Sequence, residues 1–132
     1  MPTRALPPAP VVSNHIVQVL FNLILNAIDA MEGSRPPRRL WIDLFQSGPL
    51  LCLRVEDSGP GVDLAQQNQI FEPFFSTKTQ GTGLGLSVSY GIIESHRGLL
   101  HLVPPSYGSG ACFEIQLPIE GDDEQGANSY RR

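Results

Sequence analysis

Apolar and polar positions along the chain fall into six regular segments. From Ser13 or Asn14, either of which can cap a helix, apolar residues run through HIVQVLFNLILNAIDAM to about Met31, where Gly33 and the SRPPR turn stop them. The segment is apolar almost all round, which predicts a helix buried over most of its surface. RRLWIDLFQ and LLCLRVED alternate or run apolar at strand length on either side of SGP, which predicts a hairpin. SGPGV is a glycine-proline turn, residues 63–70 carry a short helical pattern, and 70–81 read as a surface loop. A second helix, roughly Gly83 to His96, carries Leu84, Leu86, Val88, Tyr90, Ile92 and Ile93, and strands follow at 98–104 and 110–118. Helix, two strands, loop, helix, two strands is not βαβ alternation. It predicts an α+β fold in two layers, a two-layer sandwich whose mixed, mainly antiparallel sheet is covered on one face by helices. The proline-rich residues 1–10 read as a linker and EGDDEQGANSYRR, 120–132, as a disordered tail, leaving 11–119 as the domain.

Composition narrows the chemistry. A chain of 132 residues, 41% hydrophobic and 17% charged, fits one soluble domain, and its net charge of −4 argues against nucleic-acid or direct membrane binding. Cys52 and Cys112 lie in apolar runs with no metal-ligand spacing, so buried thiols are expected. No apolar run reaches the length of a membrane span and no secretory signal opens the chain, so the expected setting is cytoplasmic.

Three polar features stand out from this background. At about 100° per residue, Gln18, Asn22, Asn26 and Asp29 share one arc of roughly 80° on the first helix. Amides and a carboxylate on a buried face need hydrogen-bond partners, a ligand or a hard cation such as Mg²⁺. VEDSGPGV sets Asp57 at a strand end before Gly59 and Gly61. That carboxylate either caps local N–H groups or accepts from an amino group of a flat ligand laid on bare backbone. FFSTKTQGTGLGLSVSYG places Lys78, Gly81, Gly83 and Gly85 ahead of a helix, a setting suited to phosphate. It is not a P-loop, because Lys78 lies upstream and Leu86 follows Gly85, and it is not a dinucleotide fingerprint, because position 86 is not glycine.

The four pieces in this order, NLILNAIDAM, DSGPG, FEPFFSTK and GTGLGL, resemble the N box, first glycine box, F box and second glycine box of the catalytic ATP-binding domain of bacterial sensor histidine kinases. The resemblance spans about residues 11–118, lies within the ATPase superfamily shared with gyrase and heat-shock chaperones, and is nearest the nitrogen-regulation type, with a short lid. It implies ATP and Mg²⁺ as ligand and cofactor. Asn26 would ligate the metal, Asn22 would stand by the same phosphates one turn earlier, and Asp29 would belong to the same site. Asp57 would bind the adenine amino group with Gly59 and Gly61 behind the base. Gly81, Thr82, Gly83, Leu84, Gly85 and Leu86 would meet the phosphates, and Lys78 would pair with the terminal one. Phe71, Phe74 and Phe75 would anchor the lid, meet the phosphoacceptor helix or pack inside the domain. Hydrolysing branches carry a glutamate where this chain has Asn22, and an amide takes no proton at neutral pH, so transfer is expected over hydrolysis.

None of His15, His96 and His101 sits in a phosphoacceptor motif, so the expected partner is a dimerisation and histidine-phosphotransfer domain, with a response regulator reached indirectly. Where relatives carry GTTF this chain reads GACF, so Ala111 and Cys112 lack a hydroxyl expected near the adenine, and Arg97 replaces one of two usual glycines. Two other functions compete: a small anti-sigma-type serine kinase, against which the F box stands, and a nucleotide-binding interaction module without catalysis.

Overall fold

A computed structural model of the chain describes Leu6, Ala9, Val11 and residues 13–67, 69–72 and 85–119. Helix α1 (Ser13–Ala30) is followed by strands β1 (Leu40–Ser47) and β2 (Leu50–Asp57), a 3-10 turn (Leu64–Gln66), helix α2 (Gly85–Ser95) and strands β3 (Leu99–Val103) and β4 (Cys112–Pro118). The strands form one sheet in the order β1-β2-β4-β3, with every neighbouring pair antiparallel. The α+β, two-layer expectation holds, and the described sheet is antiparallel throughout rather than mixed. The β1–β2 hairpin closes over Gly48 and Pro49. Gly48 has φ 58° and proline fixes φ near −65°, the pattern of a type II′ turn, whose twist matches the flanking strands.

Alternation along the strands sorts two faces. Toward the helices point Val55, Phe113, Ile115, Leu117 and Leu100, which with Val19 and Leu23 of α1 and Ile93 of α2 make the core. Each such side chain contributes about 1.5–3 kcal/mol by leaving water. On the other face, Asp43, Arg54, Glu114 and His101 stand opposite one another across all four strands. Arg54 Nε donates to Glu114 Oε2 at 2.8 Å, and His101 Nε2 lies 2.7 Å from Glu114 Oε1. His101 sits within β3. Cys52 and Cys112 are free, buried thiols, as expected; burial first, then the Glu56 charge, pushes the Cys112 thiol up to about 11.

One expectation fails. α1 packs on α2 and β2 through one side, so only Val19, Leu23 and Ala27 of the helix are buried, while Val17, Phe21, Leu25 and Ile28, on the opposite side, stay exposed. An all-round apolar sequence here marks a helix with one covered side, not a buried one. Among the described residues no helix is long and apolar enough to cross a membrane. The tail at 120–132 and most of the opening linker lie outside the described residues; Ala9 packs against the core.

Candidate functional site

Asp57 ends β2 on the helix side of the sheet and is 1% exposed. Its Oδ1 accepts from Gly59 N at 2.8 Å and from Ala111 N at 3.4 Å, and its own N–H donates to Ala111 O. Among the described residues both side-chain bonds fall on Oδ1, which leaves Oδ2 as the oxygen to meet a ligand amino group. Burial pushes the carboxyl up from its ordinary 3.8, while the N–H groups of Gly59 and Ala111 pull it back.

Glycine surrounds this carboxylate for a steric reason. A Cβ on Gly59 would stand 3.0 Å from both Asp57 Oδ1 and Ala30 O. One on Gly110 would stand 2.6 Å from Asp57 Oδ1 and nearer still to the Asp57 carbonyl oxygen. Gly61 takes φ 84° and lies against Ser109 O. The turn after Asp57 is thus pressed between the end of α1 and the loop joining β3 to β4.

The polar arc of α1 divides in the structure. Gln18 and Asp29 are exposed, whereas Asn22 and Asn26 are half-buried. Asn22 Nδ2 donates to Ser89 Oγ at 3.2 Å, and Ser89, on α2, is fully buried. The amide side of α1 therefore faces the helix that begins at Gly85, while the end of α1 reaches the Asp57 turn: Met31 Sδ lies 3.3 Å from Ser58 Oγ. Gly85 is exposed at the start of α2, and Leu86 packs against the core. Lys78, Gly81, Thr82, Gly83 and Leu84, with Phe74 and Phe75, lie outside the described residues. Phe71 packs inside the domain, its ring centroid 5.2 Å from Tyr90 and 6.1 Å from Phe113. A cavity of about 360 Å³ borders Gly61, Val62, Leu102, Gly110 and Cys112, but Asp57, Asn22 and Asn26 do not line it.

Three participants escaped the sequence. Ser89 is an ordinary helix serine until Asn22 is placed against it. Gly110 heads the GACF segment, whose departure from GTTF points to Ala111 and Cys112 and not to the glycine. Glu56 lies on the helix-free face of β2, yet is 2% exposed and accepts from the backbone N–H groups of Ser106, Tyr107 and Gly108. A carboxylate directly before Asp57 was the available signal.

Residues 11–121 match the family model described as histidine kinase-, DNA gyrase B-, and HSP90-like ATPase. The C4-dicarboxylate transport sensor protein DctS of Rhodobacter capsulatus is 41% identical over 105 residues, covering 79% of this chain and 16% of that protein. The signal transduction histidine-protein kinase AtoS of Escherichia coli K12 is 41% identical over 110 residues, covering 82% of this chain and 17% of its own. The chain thus spans about a sixth of the length of these relatives. Among solved structures, the mycobacterial sensor histidine kinase MprB superposes with a TM-score of 0.73 at 28% identity, over 86% of this chain and 79% of that one. The catalytic domain of the histidine kinase ThkA gives 0.71 at 35% identity, over 83% and 69%. The buried aspartate in its glycine cradle and the amide-bearing helix beside it sit in a chain whose sequence and fold agree with these proteins, and the chain belongs to the family of histidine kinase-, DNA gyrase B- and HSP90-like ATPases, as an ATP-binding catalytic domain of the sensor histidine kinase kind.

Proposed function

We propose that this chain binds Mg-ATP and passes the γ-phosphoryl group to a histidine on a separate dimerisation domain, from which a response regulator receives it. The observation that carries the proposal is Asp57, a buried carboxylate whose Oδ1 is held by Gly59 and Ala111 while Oδ2 takes no hydrogen bond from the described residues. Asp57 takes the 6-amino group of adenine, and Gly59 and Gly61 let the base lie on backbone. Asn26, with Asp29 on the same arc, offers oxygen ligands suited to a hard cation that completes its shell from phosphates and water. When bound, Mg²⁺ neutralises charge on the phosphates. Gly81, Thr82, Gly83, Leu84, Gly85 and Leu86 supply backbone N–H groups and the α2 dipole to the triphosphate, and Lys78 adds a point charge.

Asn22 acts otherwise. Its amide is bonded to Ser89 and has no basicity at neutral pH, so it orients rather than activates water, which favours transfer over hydrolysis. Catalysis is positioning and charge neutralisation, with the nucleophile brought by the partner domain. We place the site on the cytoplasmic side of any longer protein that carries it, where ATP is available.

Incubation with radiolabelled ATP and a purified dimerisation domain of a sensor kinase tests the proposal. An acid-labile, base-stable label on that domain is expected. An acid-stable label would redirect the assignment to a serine kinase, and nucleotide binding without label would leave an interaction module.

A further inference from the structure

Glu56 and Asp57 are consecutive in β2, so their side chains leave opposite faces of the sheet. They nevertheless grip the same loop. On the helix-free face, Glu56 Oε1 accepts from Ser106 N at 2.8 Å, and Oε2 accepts from Tyr107 N at 2.9 Å and Gly108 N at 3.1 Å. On the helix face, Asp57 holds Ala111 by a pair of hydrogen bonds and is pressed by Gly110. Only Ser109 separates the two grips. A carboxylate buried to 2% exposure is tolerated because three N–H donors solvate it, and bonds to an ionised acceptor are the stronger kind. Tyr107 extends the anchorage: its ring stacks on Trp41 at 5.1 Å and its hydroxyl donates to Asp43 Oδ2 at 2.9 Å.

We infer that Glu56 is a positioning residue for the nucleotide base: by holding the 106–108 turn it keeps Gly110 and Ala111 against Asp57, and so sets how strongly the site prefers a 6-amino purine to a 6-oxo purine. The inference rests on Asp57 receiving adenine. If the turn is released, the Ala111 N–H withdraws and the Gly110 wall moves off the carboxylate. Asp57 then gains rotational freedom and its aim at the 6-position is lost, while phosphate contacts from the glycine segment and α2 are unaffected. Glutamine at position 56 keeps the volume but turns one acceptor oxygen into a donor facing backbone N–H groups.

Calorimetric titration of the 132-residue chain with ATP, with inosine triphosphate and with inorganic tripolyphosphate, each with Mg²⁺, tests this. The unsubstituted chain should bind ATP more tightly than inosine triphosphate, whose 6-oxo group repels a carboxylate. In Glu56→Gln that ratio should fall roughly tenfold, as expected for losing one charge-assisted hydrogen bond, with tripolyphosphate binding unchanged. A folded Glu56→Gln that keeps the full ratio overturns the inference, and so does equal weakening toward all three ligands, the mark of a merely structural role. If Glu56→Gln does not fold, Glu56→Asp, which draws the carboxylate back by one methylene, is read by the same ratio. Equal binding of ATP and inosine triphosphate by the unsubstituted chain would instead remove the adenine assignment itself, and the role of Glu56 with it.

Discussion

Asn22 of α1 donates its side-chain amide to the hydroxyl of Ser89 on α2, 67 residues later in the chain, at 3.2 Å. The bond ties the two helices at the level where the amide arc of α1 faces the start of α2. It also fixes which way one of the proposed site amides points.

Replacing Ser89 by alanine leaves that amide half-buried without its acceptor, at a cost of about 1 kcal/mol in stability. Urea denaturation of Asn22→Ala, Ser89→Ala and the double variant should show coupling of similar size, because the two single losses remove one shared bond. Strict additivity would mean that the contact carries no energy.

Asp57 contributes stability with the opposite sign to most carboxylates. Burial raises its folded pKa above the ordinary 3.8, so the folded state binds the proton more readily than the unfolded chain does. The charge therefore weighs against the fold above the raised pKa, and acid relieves it. Asp57→Asn is expected to melt no lower than the parent chain at neutral pH while losing ATP binding in calorimetry. Asn26→Ala, by contrast, should keep nucleotide binding and lose its Mg²⁺ dependence.

Acid sensitivity should come from Glu114. Burial alone would raise its carboxyl, but hydrogen bonds from His101, Arg54 and Gln116, with the Arg54 charge, bring it below the ordinary 4.5. A depressed folded pKa stabilises fully above 4.5 and is lost as pH falls through the folded value. Glu114→Gln should flatten the acid limb of a stability-pH curve, with little change in nucleotide affinity, since Glu114 lies on the helix-free face.

Arg97 marks the end of α2 in an unusual way. Gly98 N donates to Ile93 O and Arg97 N to Glu94 O, the paired bonds of a Schellman motif, which puts Arg97 at the left-handed position with φ 64°. A non-glycine residue there costs about 1–2 kcal/mol. Arg97→Gly, after allowing for the looser unfolded chain, should stabilise by about 0.5–1 kcal/mol in thermal or urea unfolding. The arginine that replaces a usual glycine thus has an energetic consequence.

Most elements were legible because their signals are local. The apolar run of α1, the Gly48-Pro49 turn and the alternation of β2 each depend on residues within a few positions of one another. Asp57 could be singled out for the same reason, standing two and four positions before Gly59 and Gly61. What covers a side chain is a different matter, since it depends on partners far along the chain. Periodicity marked Phe21 and Leu25 as apolar, but only the packing of α1 on α2 and β2 through its Val19, Leu23 and Ala27 side decided that they face solvent. Glu56 drew no notice in the sequence, because only the return of the 106–108 turn across the sheet buries it and binds it to three N–H groups. Sequence by itself determined the elements and the chemical character of their polar positions, because those follow from short-range sterics and hydrogen bonding. The tertiary structure decided which polar groups meet, Asn22 with Ser89 and Asp57 with Gly110 and Ala111, because such pairs form only once separate elements are packed against one core.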